Sequence, residues 1–340
     1  MQEHIQPVTL FSMSTTSRKQ RIAKLLQSEP KRLEHAAQQC HTSLLVLLSL
    51  PIFAFLLHCY FHLNTKDSSL LFNKTTMGSG EMFDIIADNY DITNRILTLR
   101  FDLSWRRMLV SKVKSFINEA VTETPLFLDV ATGTADVAIL LAESFPNAKI
   151  IGIDPSVKML EIGMNKVKTF FPPNYSKRIE LENGDIRDLP MSISHLYFDG
   201  VTISFGIRNV PSVDRKRALC TIHSLLKPSG VFGILEFSDP DKSDGIIGSI
   251  ASFFIKNIVP IIGGLLSKHP QAYNYLQQSI EDFPSSSEFQ KLLETLSCTN
   301  IDSTNKNEKE RSSNSLGAFI VTEVINLNFG SVKIYIAKAA

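Results

Sequence analysis

Residues 126–136 read LFLDVATGTAD, an apolar run followed at once by a turn of small side chains. VAILLAESF continues with helical spacing, and KIIGI at 149–153 is a second apolar run that ends at Asp154. SVKMLEIGMNKV then has the spacing of another helix. Strand, tight turn, helix and strand in this order form a βαβ unit and predict an open parallel sheet. The small residues at 131–135 let a ligand approach the backbone and the free N–H groups of the next helix. Asp129 stands near the end of the first strand. Asp154, at the end of the second, is placed to accept both hydroxyls of a ribose, because both turns open at the carboxyl edge of the sheet. A dinucleotide site is expected to show GxGxxG, whereas this turn has Gly133 alone among Thr132, Thr134 and Ala135. That glycine density argues against NAD or FAD and leaves a nucleoside cofactor of another kind.

The alternation continues downstream. Residues 178–184 lead to Asp185 and Ile186 at a strand edge, where a carboxylate can accept an adenine amine and an apolar neighbour can cover the ring. FDGVTISF at 198–205 predicts a central strand, followed by GIRNV and a helix through Leu226. Lys227–Gly230 reads as a turn and Val231–Phe237 as a fifth strand, with Glu236 near its outlet. There is no second dinucleotide half.

Upstream, 81–96 has helical apolar spacing in part. Leu109, Val113, Phe116 and Ile117 then recur at helical intervals, with Trp105 anchoring an amphipathic helix on the core. Residues 1–41 are polar with a basic excess, and TSLLVLLSLPIFAFLLHCYF at 42–61 carries no charge apart from the usually neutral His58. About twenty such residues suffice for a membrane span. The expectation is therefore an N-terminal extension over 1–77, with 42–61 as membrane anchor or targeting region, and one catalytic domain over 78–340. In the 340-residue chain, 44% hydrophobic and 20% charged residues are ordinary for a folded protein, and a net charge of +1 gives no reason to propose a nucleic-acid partner. Cys40, Cys59, Cys220 and Cys298 form no CxxC pair, so they read as buried or incidental thiols rather than a disulfide framework or zinc site.

Four ordered stretches carry a resemblance: MFDIIADNYDITNRILTLRFDLSWRR at 82–107, LDVATGTAD at 128–136, FDGVTISFGIRNV at 198–210 and LLKPSGVFGILEFSDP at 225–240. They resemble the demethylmenaquinone and 2-polyprenyl-6-methoxybenzoquinol methyltransferases of menaquinone and ubiquinone synthesis, which are class I enzymes dependent on S-adenosylmethionine. IVPIIGGLLS at 258–267, YNYLQQSIEDFP at 273–284 and NFGSVKIYIAKA at 328–339 look like the family's substrate-side insertion and closing strands. The resemblance implies an α/β, Rossmann-like fold, with seven mostly parallel strands, helices on both faces and the last strand antiparallel. It implies that Asp129, Thr132, Gly133 and Thr134 surround the methionyl part of S-adenosylmethionine. Asp154 would hold the ribose, Asp185 and Ile186 would flank the adenine, and Ser204 would lie at the outlet of the fourth strand. Ala135 replaces a glycine common in ubiquinone-side members and looks familiar from menaquinone-side ones. Asp185 stands where asparagine is frequent, and LRFD at 99–102 departs from the usual Ser-Leu-Gly. NKNEKERSSNS at 305–315 reads as an insertion in a surface loop before the final hairpin.

The implied reaction is C-methylation of a polyprenylated quinol, demethylmenaquinol ahead of 2-polyprenyl-6-methoxy-1,4-benzoquinol. It needs alignment and an acceptor for a ring hydroxyl proton but no metal. Tyr90 and Asn94 fall on one helical face; Arg208 and Asn209 follow the fourth strand. For all of them a helix cap or a bracing ion pair is as good a reading as catalysis, with Asn209 favoured for substrate contact. The apolar patch Ile246–Leu266 reads as the wall of a prenyl-tail tunnel resting on the bilayer. Expected partners are thus the quinol and a membrane surface, with a homodimer or quinone-synthesis complex left open. The expected location is membrane-associated on the cytoplasmic side, or the matrix side in a mitochondrion. A methyltransferase for another lipid, a non-catalytic scaffold of quinone synthesis and a nicotinamide dehydrogenase are the rival readings. His195 and His223 lack partners for a hydrolytic triad.

Overall fold

The computed structural model describes residues 79–117, 123–238, 278–280, 282–298 and 318–340. The apolar stretches at 42–61 and 246–266 and the charged insertion at 305–315 lie outside the described residues. Helices α1 (Ser79–Leu97) and α2 (Phe101–Phe116) precede β1 (Leu126–Val130), α3 (Asp136–Ser144), β2 (Lys149–Asp154) and α4 (Val157–Phe170). The short α5 (Pro173–Ser176), β3 (Ile179–Asn183), β4 (Phe198–Ser204), α6 (Ser212–Leu225) and β5 (Leu226–Phe237) follow. The chain ends with α7 (Ser286–Thr295), β6 (Phe319–Leu327) and β7 (Val332–Ala339).

The strands form one seven-stranded sheet in the order β3-β2-β1-β4-β5-β7-β6. β1 to β5 are parallel, and β7 runs antiparallel to both β5 and β6. This is the α/β, Rossmann-like class I architecture that the resemblance implies. Both faces are covered, as the two-residue period shows. Leu128 and Val130 of β1, Phe232 and Ile234 of β5 and Tyr335 of β7 pack with α6 and α7. Phe127, Val231, Leu235, Ile334 and Ile336 pack on the other face with Leu109 and Val113 of α2 and Leu141 of α3. Trp105 is buried in this second cluster, edge-on to Phe205, so it is a core anchor as read.

Two readings need correction. Lys227–Gly230 is not a turn outside the strand but an irregularity within β5. Leu226 pairs with Phe198 and Val231 with Gly200, so the intervening residues bulge from the ladder without ending it. Lys227 is held there by Asp199, whose carboxylate accepts from its Nζ at 2.8 Å. The cysteines are not all free thiols: Cys220 of α6 and Cys298, beyond α7, form a disulfide across 78 residues of chain. Only the fold brings them together.

α2 lies close against the sheet because β5 has no side chain at Gly233. A Cβ there would stand 2.6 Å from Val113 Cγ2 and 3.1 Å from Leu109 Cδ1. Gly233→Ala is expected to cost about 1–3 kcal/mol through overpacking. Urea unfolding should show this as a lower midpoint with unchanged slope.

Candidate active site

Strand order reverses between β1 and β4, and a cleft opens at their carboxyl ends, where parallel α/β sheets bind ligands. Its empty volume, open mouth included, is about 500 Å³. Val130 of β1 and Ala131 just after it, Ile153 and Asp154 of β2, Ile203 of β4, and Gly206 and Asn209 beyond β4 line it. The segment Gly184–Arg187 closes one end, and Phe83 reaches in from α1.

The turn after β1 is shaped for close approach. Ala131, Gly133 and Ala135 all have left-handed backbones, with φ of 52°, 54° and 66°. A Cβ at Gly133 would meet nothing within 4 Å, so the backbone there is uncovered. The Gly133 N–H donates to Asp154 Oδ2 at 2.8 Å, and the Ser156 N–H donates to Oδ1 at 2.8 Å. These bonds fix the carboxylate and leave a lone pair on each oxygen for a ligand hydroxyl. Asp129 lies beneath the turn, 1% exposed, where Thr132 Oγ1 and Thr202 Oγ1 donate to it at 2.6 and 2.7 Å. It braces β1, the turn and β4. Thr134 is buried, donating to Asp91 and accepting from Lys166 Nζ.

Burial raises both Asp129 and Asp154 to about 6, against the hydrogen bonds that favour their ionised forms. Asp185 moves the other way: burial would raise it, but Arg187 outweighs burial and lowers it. Arg187 Nε and Nη2 grip both Asp185 oxygens, so Asp185 presents to the cleft as half of a clamped pair. Ile186 is buried beside it.

At the opposite side, Ser204 Oγ and Asn209 Oδ1 are buried with no hydrogen-bond partner among the described residues. Asn209 Nδ2 donates to the Phe205 carbonyl, which aims the amide. Arg208 is buried and donates to Glu236 Oε1 at 2.6 Å, to the Phe205 carbonyl at 2.8 Å and to Ser279 Oγ at 3.2 Å. Glu236, wholly buried, thus braces the site through Arg208. On α1, Tyr90 and Asn94 hydrogen-bond to each other, as their spacing allows; burial raises the Tyr90 phenol, while Arg106, Arg208 and Asn94 pull it down. The structure therefore brings Asp154, Asp185, Ile186 and Asn209 to one cleft, ties Gly133 to it through the Asp154 carboxylate, and sets Tyr90 within electrostatic reach of Arg208. Phe83, Pro155 and Arg187 also line the cleft and were missed by sequence reasoning. For Phe83 and Arg187 the signal was their place inside or beside quoted motifs.

The sequence profile of the ubiE/COQ5 methyltransferase family matches residues 73–307. This chain belongs to that family. A ubiquinone/menaquinone biosynthesis C-methyltransferase UbiE of Geotalea daltonii is 42% identical over 210 residues, 62% of this chain and 83% of the relative. A demethylmenaquinone methyltransferase of Thermotoga maritima is 38% identical over 210 residues, with the same 62% and 83% coverage. One from Bacteroides fragilis is 36% identical over 204 residues, 60% of this chain and 77% of the relative. The chain is an S-adenosylmethionine-dependent C-methyltransferase. The cleft fits that cofactor: a bare backbone at Gly133, a fixed carboxylate at Asp154 and an apolar slot at Ile186 suit its methionyl, ribose and adenine parts in turn.

For this methyltransferase, raised carboxylates carry a sign. The folded chain holds the Asp129 and Asp154 protons more tightly than the unfolded chain, whose carboxyls titrate near 3.9. Each therefore burdens stability as pH rises through about 6 and relieves it as pH falls from 6 toward 4. Protonating Asp154 also weakens the ribose acceptor. Cofactor affinity measured by calorimetry should fall as pH drops below about 6, and Asp154→Asn should bind weakly with that pH dependence flattened. Separately, Glu236→Ala strands the buried Arg208 cation and should cost about 3–5 kcal/mol in denaturant unfolding.

Proposed function

We propose that this methyltransferase methylates a ring carbon of a polyprenylated quinol, with demethylmenaquinol as the substrate. The observation that carries the assignment of roles is the orphaned Asn209 Oδ1, a buried acceptor at the cleft wall. Buried polar atoms are rarely left without partners, and a ring hydroxyl supplies the missing donor. Drawing that O–H toward Asn209 increases electron density on the adjacent ring carbon. S-adenosylmethionine supplies the electrophilic methyl group when bound. Gly133, Asp154, Asp185 and Ile186 would hold it, the last two with Arg187 at the adenine end. Tyr90, a phenol neutral at physiological pH that burial moves further from ionisation, can donate to a quinol oxygen, and Asn94 orients it. Arg208, aimed by Glu236, offers positive charge where the quinol oxygen becomes negative.

Menaquinone-side chemistry is supported by the relatives from Thermotoga maritima and Bacteroides fragilis and by Ala135, while the Geotalea daltonii relative bears both quinone names. In this reading the enzyme works on the cytoplasmic side of a membrane, or the matrix side in a mitochondrion, with 42–61 as its anchor or targeting region. Among the described residues no helix is long and apolar enough to cross a membrane.

The full chain, given methyl-labelled S-adenosylmethionine with each demethylated quinol, should label demethylmenaquinol preferentially. Equal or greater labelling of 2-polyprenyl-6-methoxy-1,4-benzoquinol would move the assignment to the ubiquinone pathway, and label in neither would remove it. Asn209→Ala should lower kcat/KM for the quinol by about 10–100-fold, the effect of losing one well-placed hydrogen bond.

A further inference from the structure

The corner between α1 and α2 presents an apolar surface to solvent. Ile92 and Leu99 are each 64% exposed, and Ile96, Phe101 and Met108 are exposed as well. Single exposed apolar residues need no explanation, but a cluster at one corner does. The other exposed residues there are Arg100, Ser104 and Arg107; among the described residues 92–108 none of the exposed side chains is acidic. Asp88, one turn before Ile92 on α1, is exposed, but the acids nearer the bend turn inward. Asp102 is buried and bound by Arg95, Arg106 and Thr98, and Asp91 is bound by Lys166. Leu99 and Arg100 hold consecutive left-handed backbones, φ 51° and 66°, which non-glycine residues seldom adopt. Such strain persists where surrounding structure enforces it and often marks a functional surface. Here the enforcement is visible: the Arg100 N–H bonds the Arg95 carbonyl at 2.8 Å, and Phe101 stacks on the buried Trp105.

We propose that this corner docks the enzyme on the anionic surface of a lipid bilayer, its apolar side chains entering the headgroup region and Arg100 and Arg107 meeting lipid phosphates. The proposal rests on the reading that the substrate is a bilayer-dissolved polyprenyl quinol. Charge decides the occupant. A second copy related by a twofold axis would set arginines of one corner among those of the other. The chain's own 42–61 segment has no acid to receive them. An anionic lipid surface satisfies both the apolar and the basic side chains. α1 also carries Phe83 into the cleft, so the element that meets lipid is the one that walls the site.

The test uses the full chain with Leu99→Trp and vesicles of brominated phosphatidylcholine, with or without phosphatidylglycerol. Tryptophan quenching is expected, stronger with the anionic lipid, whereas the buried Trp105 of the parent stays unquenched. Arg100→Gln with Arg107→Gln should weaken binding to anionic vesicles by roughly 25-fold, about five-fold per arginine. Ile92→Glu with Leu99→Glu should raise KM for a long-chain quinol in vesicles about tenfold or more, while kcat/KM for a short-chain soluble quinol stays within about two-fold. Absence of quenching at position 99 would overturn the docking site, as would equal loss on both quinols. A dimer in the parent that the glutamate pair dissociates would assign the corner to a second copy and overturn it too. Quenching without methylation of any quinol would refute the substrate reading and leave the docking surface standing.

Discussion

Three carboxylates and three cations meet where the first two helices join the cofactor turn. Asp136, at the start of α3, pairs with Arg95 of α1 and with Lys166 of α4, and it lies 3.9 Å from Arg106 of α2. Asp102 binds both arginines, and Asp91 binds Lys166, which also donates to Thr134. Burial would raise Asp136, yet Arg106, Lys166 and Arg95 outweigh it and hold the carboxyl at about 2. Isolated buried pairs often fail to recover their desolvation cost. In this cluster Asp102 and Asp136 each meet more than one cation, so neither is left with a single partner. The consequence is geometric: the turn that presents Gly133 and the helix that presents Phe83 and Tyr90 are held as one unit.

Within that unit the turn itself is strained, and the relief comes from outside it. Ala131 and Ala135 take left-handed backbones that cost a non-glycine residue about 1–2 kcal/mol each. Glycines stand opposite both. A Cβ at Gly206 would lie 2.6 Å from the Ala131 Cβ, and one at Gly163 would lie 3.2 Å from the Ala135 Cβ. The turn can thus bend sharply with one glycine of its own because β4's exit and α4 leave room for its alanines. Asp84 of α1 adds to this docking by accepting from Ser156 Oγ and from the Lys158 N–H at the N-terminus of α4, where a carboxylate also meets the helix dipole favourably.

What was legible in the sequence followed from local periodicity. LFLDV, KIIGI and FDGVTISF are apolar runs bounded by turn residues, and each is a parallel strand buried on both faces. Asp154 and Gly133 were readable because chemistry concentrates at strand ends, which spacing alone locates. Lys227–Gly230 misled because Pro228 and Gly230 signal a turn equally well outside a strand or in a bulge within it; the pairing of Leu226 with Phe198 decides, and that is a tertiary fact. Cys220 with Cys298, and Arg95 with Asp136, are joined only by the folded chain. LRFD at 99–102 gave no local sign that Leu99 and Arg100 would turn left-handed, since neither residue favours that region.

Around the end of the cleft proposed for the quinol, the charges suit a proton that must become loosely held rather than be removed beforehand. Tyr90 is a neutral donor that burial moves further from ionisation. Asn209 offers a neutral acceptor, and Arg208 carries a cation already matched by Glu236. A cation without that partner would attract any anion entering the cleft as strongly as the substrate. With Glu236 in place, local charge is balanced in the resting site, and a favourable field from Arg208 and Arg106 grows in value only as negative charge develops on the ring oxygen. Stabilisation that strengthens along the reaction lowers its barrier, whereas attraction present from the start only tightens binding. For the proposed methyl transfer, the buried Arg208–Glu236 pair is therefore better understood as preorganised electrostatics than as a source of stability.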